Sequence, residues 1–276
     1  DTKLIITSEL VETKTNQVVW MDRMQGDVMD LLQLQSELSH RIANATHMAI
    51  LDTEVRAALT QPMPTLESYS MLLGGISMSY YINGSEFQKA GLLLNQLVER
   101  YQSLASPNTW LANWHALRAT QHSSKATNLD ALKALANAKK ALKNNPQNAQ
   151  ALATDALIEL HLNKNSDYAA VQLNKALSLN PNEAHAWLYK GLMHGFLGQA
   201  NLASAAAEHA LSLTPLGPER HYFDTLAAAS YIGAGDYDRA RELAQRALQS
   251  NRSHPSTYRA LAIAQGMLGM EAQASL

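Results

Sequence analysis

Residues Asn182–Pro215, NEAHAWLYKGLMHGFLGQANLASAAAEHALSLTP, decide the fold. Trp187, Gly191 and His194 recur at spacings of four and three, the period of one helical face. Beyond Gly198, the residues Ala203, Ala207 and Ala210 form a second stripe, and Pro215 closes the stretch. The pattern predicts two amphipathic helices joined at LGQAN, where Gly198 can take the left-handed backbone that ends a helix. Small residues at Gly191, Ala203 and Ala210 let the two helices approach closely, and Trp187 is expected to fill the gap between them. Pro215 opens the next connection, where a missing N–H does no harm. A helix pair of this kind cannot bury its apolar face alone, so it needs neighbours.

The neighbours are in the chain. Prolines fall at 146, 181 and 215, at intervals of 35 and 34 residues. The preceding unit has Ala153, Leu160, Ala169, Leu173, Ala176 and Pro181 in matching places. The following unit has Ala227, Tyr231, Gly235, Ala240, Ala244 and Ala247. This pattern resembles the tetratricopeptide repeat, a helix–turn–helix unit of about 34 residues. The resemblance implies a right-handed α-solenoid whose concave face is lined by the first helix of each pair, and it implies binding rather than chemistry.

Composition narrows the function classes. The chain has 276 residues, 46% of them apolar, and a net charge of -2, which offers no field to attract nucleic acid. Lys139, Lys140 and Lys143 are the nearest thing to a basic patch and read as a solvated helix face. The absence of cysteine excludes disulfides and thiolate metal sites without choosing a compartment. No apolar run is long enough to span a membrane, and no signal-peptide pattern is present.

At the amino terminus, Leu4–Leu10 and Val18–Met24 read as strands around a polar turn at Lys14–Gln17, which predicts a hairpin. A lone two-stranded hairpin is marginal in water, so it is expected to pack on something or to belong to a sheet that continues upstream. Because the chain opens directly on a strand, Asp1 reads as an internal position of a longer polypeptide. A long helix is expected from Asp27 through Leu31, Leu34, Leu38, Ile42, Ala45 and Ala49 to about Leu59, with a break near Asp52 as the alternative. Pro62 and Pro64 then interrupt it.

A second resemblance rests on Leu10, Val11, Val19, Trp20, Asp30, Leu31, Leu34, Gln35, Glu37, Leu38 and Ile42. These positions are similar to a segment of bacterial multi-domain signalling proteins that ends a small α/β domain of the TolB amino-terminal kind and precedes tetratricopeptide repeats. Thr15-Asn16 replaces the Thr-Gly turn of that pattern. Tyr222-Phe223-Asp224 and Tyr258-Arg259-Ala260-Leu261-Ala262 resemble the repeat region of the same proteins. The resemblance implies an upstream output domain outside this sequence. That domain would be the winged helix of a CadC- or HilA-like transcription regulator or, alternatively, a class III adenylate cyclase. CadC-like proteins would place this segment in the periplasm behind an upstream transmembrane helix; the HilA-like cytoplasmic placement is preferred.

The rest of the chain reads as repeats. Thr65–Tyr81 and Ser85–Tyr101 form a degenerate pair, with Ala90, Leu94 and Leu97 inward and Gly74-Gly75 marking a close helix contact or, alternatively, a break. Trp110–His122 and Ala131–Asn144 form the next pair, around a polar loop at Ser123–Asn128. Three registered repeats follow, then Pro255–Gly269 as a further first helix whose partner is cut short at Ala274-Ser275-Leu276, so the array is expected to continue beyond Leu276. The fold class is therefore mostly α: residues 1–61 are the end of a truncated α/β domain, and residues 65–276 are a solenoid of about five helix pairs plus a partial terminal repeat.

No catalytic constellation is legible. Gly233-Ala234-Gly235 is a repeat turn without the strand that a dinucleotide fingerprint needs. His40 with His47, and His115 with His122, stand two turns apart without a third ligand, so no metal or other cofactor is expected. Met21, Met24, Met29, Met71 and Met78 read as core filling rather than as an adaptable surface. Counting from Trp187, the residues expected to point into the concave face include His185, Tyr189 and Phe196, with Asp155 and His161 before them and Tyr222 and Arg259 after. They would form an aromatic groove in which Asp155 and Arg259 orient a peptide. The expected partner is a protein or peptide, either the output domain or a second copy, unless the chain's own amino-terminal domain covers this face.

Overall fold

The computed structural model describes residues 3–12, 17–27, 66–81, 84–121, 127–214 and 219–270. Its packing divides the chain into two compact units, Asp1–Glu67 and Ser68–Leu276. In the first, β1 (Lys3–Glu12) and β2 (Gln17–Asp27) pair antiparallel, with Lys3 opposite Asp27, Leu10 opposite Trp20 and an irregularity at Leu10/Val11. The hairpin forms where the sequence predicts it, but both strands are longer. Asp27 ends β2 instead of opening a helix, because pairing with Lys3 satisfies backbone groups that a helix start would leave bare. The expected long helix, the Pro62–Pro64 break and residues 13–16 of the turn lie outside the described residues.

The second unit stacks helical hairpins. Its helices are α1 (Leu66–Met78), α2 (Ser85–Arg100), α3 (Ala105–Gln121), α4 (Thr127–Asn144), α5 (Ala149–Ile158), α6 (Ser166–Leu179), α7 (Ala184–Phe196), α8 (Ala200–Leu213), α9 (Arg220–Ala234), α10 (Tyr237–Ser250) and α11 (Pro255–Met267). Odd-numbered helices are first members of pairs and even-numbered ones second. Short polar caps start several of them: Asn148 accepts from Ala151 N–H at 2.9 Å, Asn165 from Tyr168 N–H at 3.1 Å and Asp236 from Arg239 N–H at 3.0 Å. The second helices turn alanine stripes inward, with Ala169, Ala176, Ala203, Ala207, Ala210, Ala240 and Ala244 all fully buried. Side chains this small bring helix axes close, and Gly191 does the same for α7: a Cβ there would sit 3.1 Å from the backbone nitrogen of Ala207.

Several expectations shift. Helix α3 starts five residues earlier than expected, at Ala105, because Pro107 fits within its first turn, where an N–H has no partner to lose. Helix α4 starts at Thr127, so Thr127 and Asn128 are helical rather than part of the loop; loop residues 123–126 and residue 122, expected to end the preceding helix, lie outside the described set. Gly75 does mark a close contact, its would-be Cβ 3.0 Å from Leu94 of α2. Trp187 is not a core filler. It is half-buried at the α7–α8 seam, edge-on to His209 at 4.6 Å, with its indole N–H donating to the Pro181 carbonyl at 2.8 Å. The expected partner of α11 falls outside the described residues.

The 35-residue interval has a structural cause. After three first helices the turn closes the same way: Gln199 N–H donates to His194 C=O, Asp236 N–H to Tyr231 C=O and Met270 N–H to Gln265 C=O. Gly198, Gly235 and Gly269 supply positive φ there, at 67°, 79° and 74°. After α5 the corresponding bond runs from Asn165 N–H to Glu159 C=O, one residue wider. Residues Glu159–Asn163 form a π-helical turn, and Lys164 takes the left-handed place at φ 53°. One inserted residue has been absorbed as a π-turn rather than as a longer loop.

Buried ion pairs tie the last repeats together. Asp224 of α9 is fully buried, accepts from Arg246 of α10 at 2.7 and 2.8 Å, and accepts from Arg220 Nε at 2.9 Å. Arg220 also donates to the carbonyls of Leu211 and Thr214 at the end of α8.

Candidate binding surface on the helical array

The first helices present one face to the inner side of the stack, and that face has two parts. In the first part, His185, Tyr189 and Tyr222 do come together, but they are buried rather than open. Tyr80, in the turn after α1, covers them. Its hydroxyl lies 2.8 Å from His185 Nε2, its ring 5.5 Å from that of Tyr222, and its carbonyl accepts from His221 Nε2 at 2.8 Å. Trp110 of α3 meets His185 edge-on at 6.2 Å, and Tyr189 and Tyr222 hydroxyls stand 3.3 Å apart. Burial holds the phenols of Tyr80, Tyr189 and Tyr222 above the usual tyrosine range, so they remain neutral donors. This part of the expected groove is sealed by the chain's own first repeat.

The second part is open. Phe196, at the end of α7, is 56% exposed and faces His161 across 6.4 Å between ring centres. Arg259 of α11 is exposed and donates to Ser256 Oγ at 2.7 Å. The pKa of His161 is lowered, first by burial and then by the charges of Lys164 and Arg259, and its Nδ1 is buried with no hydrogen-bond partner. Two of the seven expected groove residues, His161 and Phe196, therefore meet at this open part, and the charge of a third, Arg259, reaches His161.

Asp155 does not face the groove. It is buried against the second helix of its own pair, where it accepts from Tyr168 O–H at 2.7 Å. The one-residue insertion explains the displacement. Counted back from Pro181, Asp155 falls on the inner face, but the extra residue at Glu159–Asn163 turns everything before it by about 100°. Counted forward from the start of α5, the inner position is Thr154, and Asp155 corresponds to Lys190, which likewise reaches a second helix, at Asn174.

Sequence reasoning misses Tyr80 because it belongs to the most degenerate repeat. The only signal there is the pair Tyr80-Tyr81 at the end of a helix, just before Asn83-Gly84, with no local apolar face for either ring to cover. Among the described residues no group of three or more His, Cys, Asp or Glu converges as a metal site would require, and no helix is long and apolar enough to cross a membrane. His40, His47 and His122 lie outside the described residues, and His115 is bonded to Asp130.

Paired helices closed by left-handed turns, alanine-lined second helices and an inner face made by first helices define a tetratricopeptide-repeat α-solenoid, here with a short amino-terminal β-hairpin. Comparison with solved structures agrees on the fold. A thermophilic tetratricopeptide-repeat protein of Thermus thermophilus superposes with a TM-score of 0.51 at 18% identity, over 75% of this chain and 98% of its own. The pilF product of Pseudomonas aeruginosa gives 0.45 at 17% identity, over 76% of this chain and 89% of its own. A tetratricopeptide-repeat protein of Parabacteroides merdae gives 0.43 at 17%, over 75% and 77%. No protein-family model and no curated protein sequence matches the chain.

Proposed function

We propose that the chain is a non-catalytic protein-binding module, the regulatory segment of a bacterial transcription regulator whose winged-helix output domain lies outside this sequence. The observation that carries the binding role is the open part of the inner face. An exposed phenylalanine on a rigid helix, next to His161 on which the charge of Arg259 also acts, offers an anchor for an apolar side chain and a charge to orient a carboxylate. The hairpin and the sequence pattern from Leu10 to Ile42 support the regulator reading, in which residues 1–61 would end an α/β domain and residues 65–276 would be the repeats. Both are what the end of a TolB-like α/β domain ahead of the repeats would supply.

The partner on this reading is the output domain or a second copy of the chain. The test is a calorimetric titration of the 276-residue chain against the remainder of its own polypeptide, with sedimentation to detect self-association. Phe196→Ala combined with Arg259→Glu should weaken the interaction by about tenfold or more while leaving helicity unchanged. Unchanged binding in the double variant would remove the inner face from the reading. Cyclase activity in the complete polypeptide would replace the regulator with the cyclase alternative, and turnover by this chain alone would overturn the binding role itself.

A further inference from the structure

We propose a second docking surface, for an acidic peptide segment, in the cleft between α2 and α4. It rests on the reading of the chain as a binding module but uses a different face, the one made by second helices. The cleft has a volume of about 500 Å³ and is walled by α2 and α4, with α3 as its floor.

The floor is built rigidly. Trp114 lies under α2 because Gly91 leaves it room; a Cβ on Gly91 would overlap the indole ring. The Trp114 N–H donates to the Phe87 carbonyl at 2.7 Å, and Phe87 stacks on the indole at 5.0 Å. Arg118 lies over the other part of the ring, 5.3 Å from its centre, and its Nε donates to buried Asp130 at 3.0 Å. His115 Nδ1 donates to the same carboxylate at 2.9 Å. Asp130 thus neutralises Arg118 from below and offers no negative charge to the cleft.

The walls supply the specificity. Lys133 and Lys140 line the α4 side, one helical face apart by two turns, about 10.5 Å. Neither ammonium group makes an ion pair among the described residues. The opposite wall carries Leu92, 66% exposed, and Asn95, whose amide is occupied with the Gly91 carbonyl at 2.7 Å. Among the described residues no carboxylate lines the cleft. Two cations without ion-pair partners on one wall, facing the exposed Leu92 on the other, fit a segment with two acidic side chains and an apolar one between them. The carboxylates would meet Lys133 and Lys140, and the apolar side chain would lie on Leu92, the exposed apolar side chain of the cleft.

The probe is a fluorescein-labelled helical peptide with two glutamates seven residues apart, leucines between them and alanine elsewhere, followed by anisotropy. It should bind the wild-type chain with an affinity that falls as salt rises. Lys133→Glu with Lys140→Glu should weaken binding by about tenfold or more, glutamine in place of the glutamates should do the same, and Leu92→Asp should weaken it independently. All three positions are on the surface, and circular dichroism identifies any variant that has lost its fold. Equal binding by the lysine variants overturns the proposal. So does full competition by polyglutamate together with indifference to Leu92→Asp, which would mean charge attraction only. If Phe196→Ala with Arg259→Glu abolishes peptide binding and the lysine variants do not, the inner face holds the peptide; the cleft proposal then falls and the binding-module reading stands.

Discussion

Lys164 shows how one position records the history of a repeat. Glycine occupies the left-handed turn position after three first helices, yet after α5 that place is taken by lysine at φ 53°. The left-handed conformation costs an L-residue with a Cβ roughly 1–2 kcal/mol. Lys164 recovers part of this by donating from Nζ to the His161 carbonyl at 2.7 Å, a bond on the protein surface. Lys164→Gly should therefore stabilise the chain by about 1 kcal/mol in urea unfolding; a destabilised variant would mean that the surface bond outweighs the backbone strain. Trp187 makes the complementary point. Its indole spans the α7–α8 seam in partial contact with solvent, so its role is to hold Pro181 and His209 rather than to fill the core.

At the scale of the element, the helix pair depends on small residues where backbones meet. Gly191 stands where a Cβ would crowd Ala207, Ala203 and Ser230, which belong to α8 and α9. Those neighbours are backbone atoms and a short hydroxyl, which cannot swing aside. Gly191→Leu should destabilise by roughly 1–3 kcal/mol or more through overpacking, read as a lower urea midpoint at unchanged slope. A midpoint equal to wild type would show that α7 and α9 can part freely. The π-turn after α5 belongs to this scale as well. It keeps the α5–α6 pair in register with its neighbours by absorbing one residue inside the helix, and in doing so decides which side chains of α5 face inward.

At the largest scale, the helical unit is a stack whose interior holds several histidines, and this makes its stability sensitive to acid. His254 is fully buried, and neither of its ring nitrogens has a partner. Burial, followed by the charges of His221 and Arg259, pushes its pKa down to about 4. His115 and His161 are also lowered, chiefly by burial. A histidine depressed below its unfolded value of about 6.5 binds a proton more readily in the unfolded chain. Its stabilising contribution is complete above pH about 6.5 and is lost as the pH falls from there towards 4. For His254 alone the loss is about 3 kcal/mol. Urea unfolding at pH 7.5 and pH 4.5 should show this decline, and His254→Asn should flatten it; an equal pH slope in that variant would place the proton uptake elsewhere.

The repeat architecture was legible because it is written in local chemistry. Gly198 and Gly235 and the alanine stripes each act within one or two helical turns, and the structure places them accordingly. The hairpin was legible for the same reason, although its extension to Asp27 depends on cross-strand pairing with Lys3. What the sequence could not decide is where the inner face is open. Tyr80 and the residues it covers, His185, His221 and Tyr222, are separated by more than a hundred positions, and only the curvature of the stacked pairs brings them together. Nor could the interval between prolines tell an inserted loop residue from a π-turn. The two differ by which hydrogen bond closes the helix, and that choice turned Asp155 away from the groove and set Thr154 in its place.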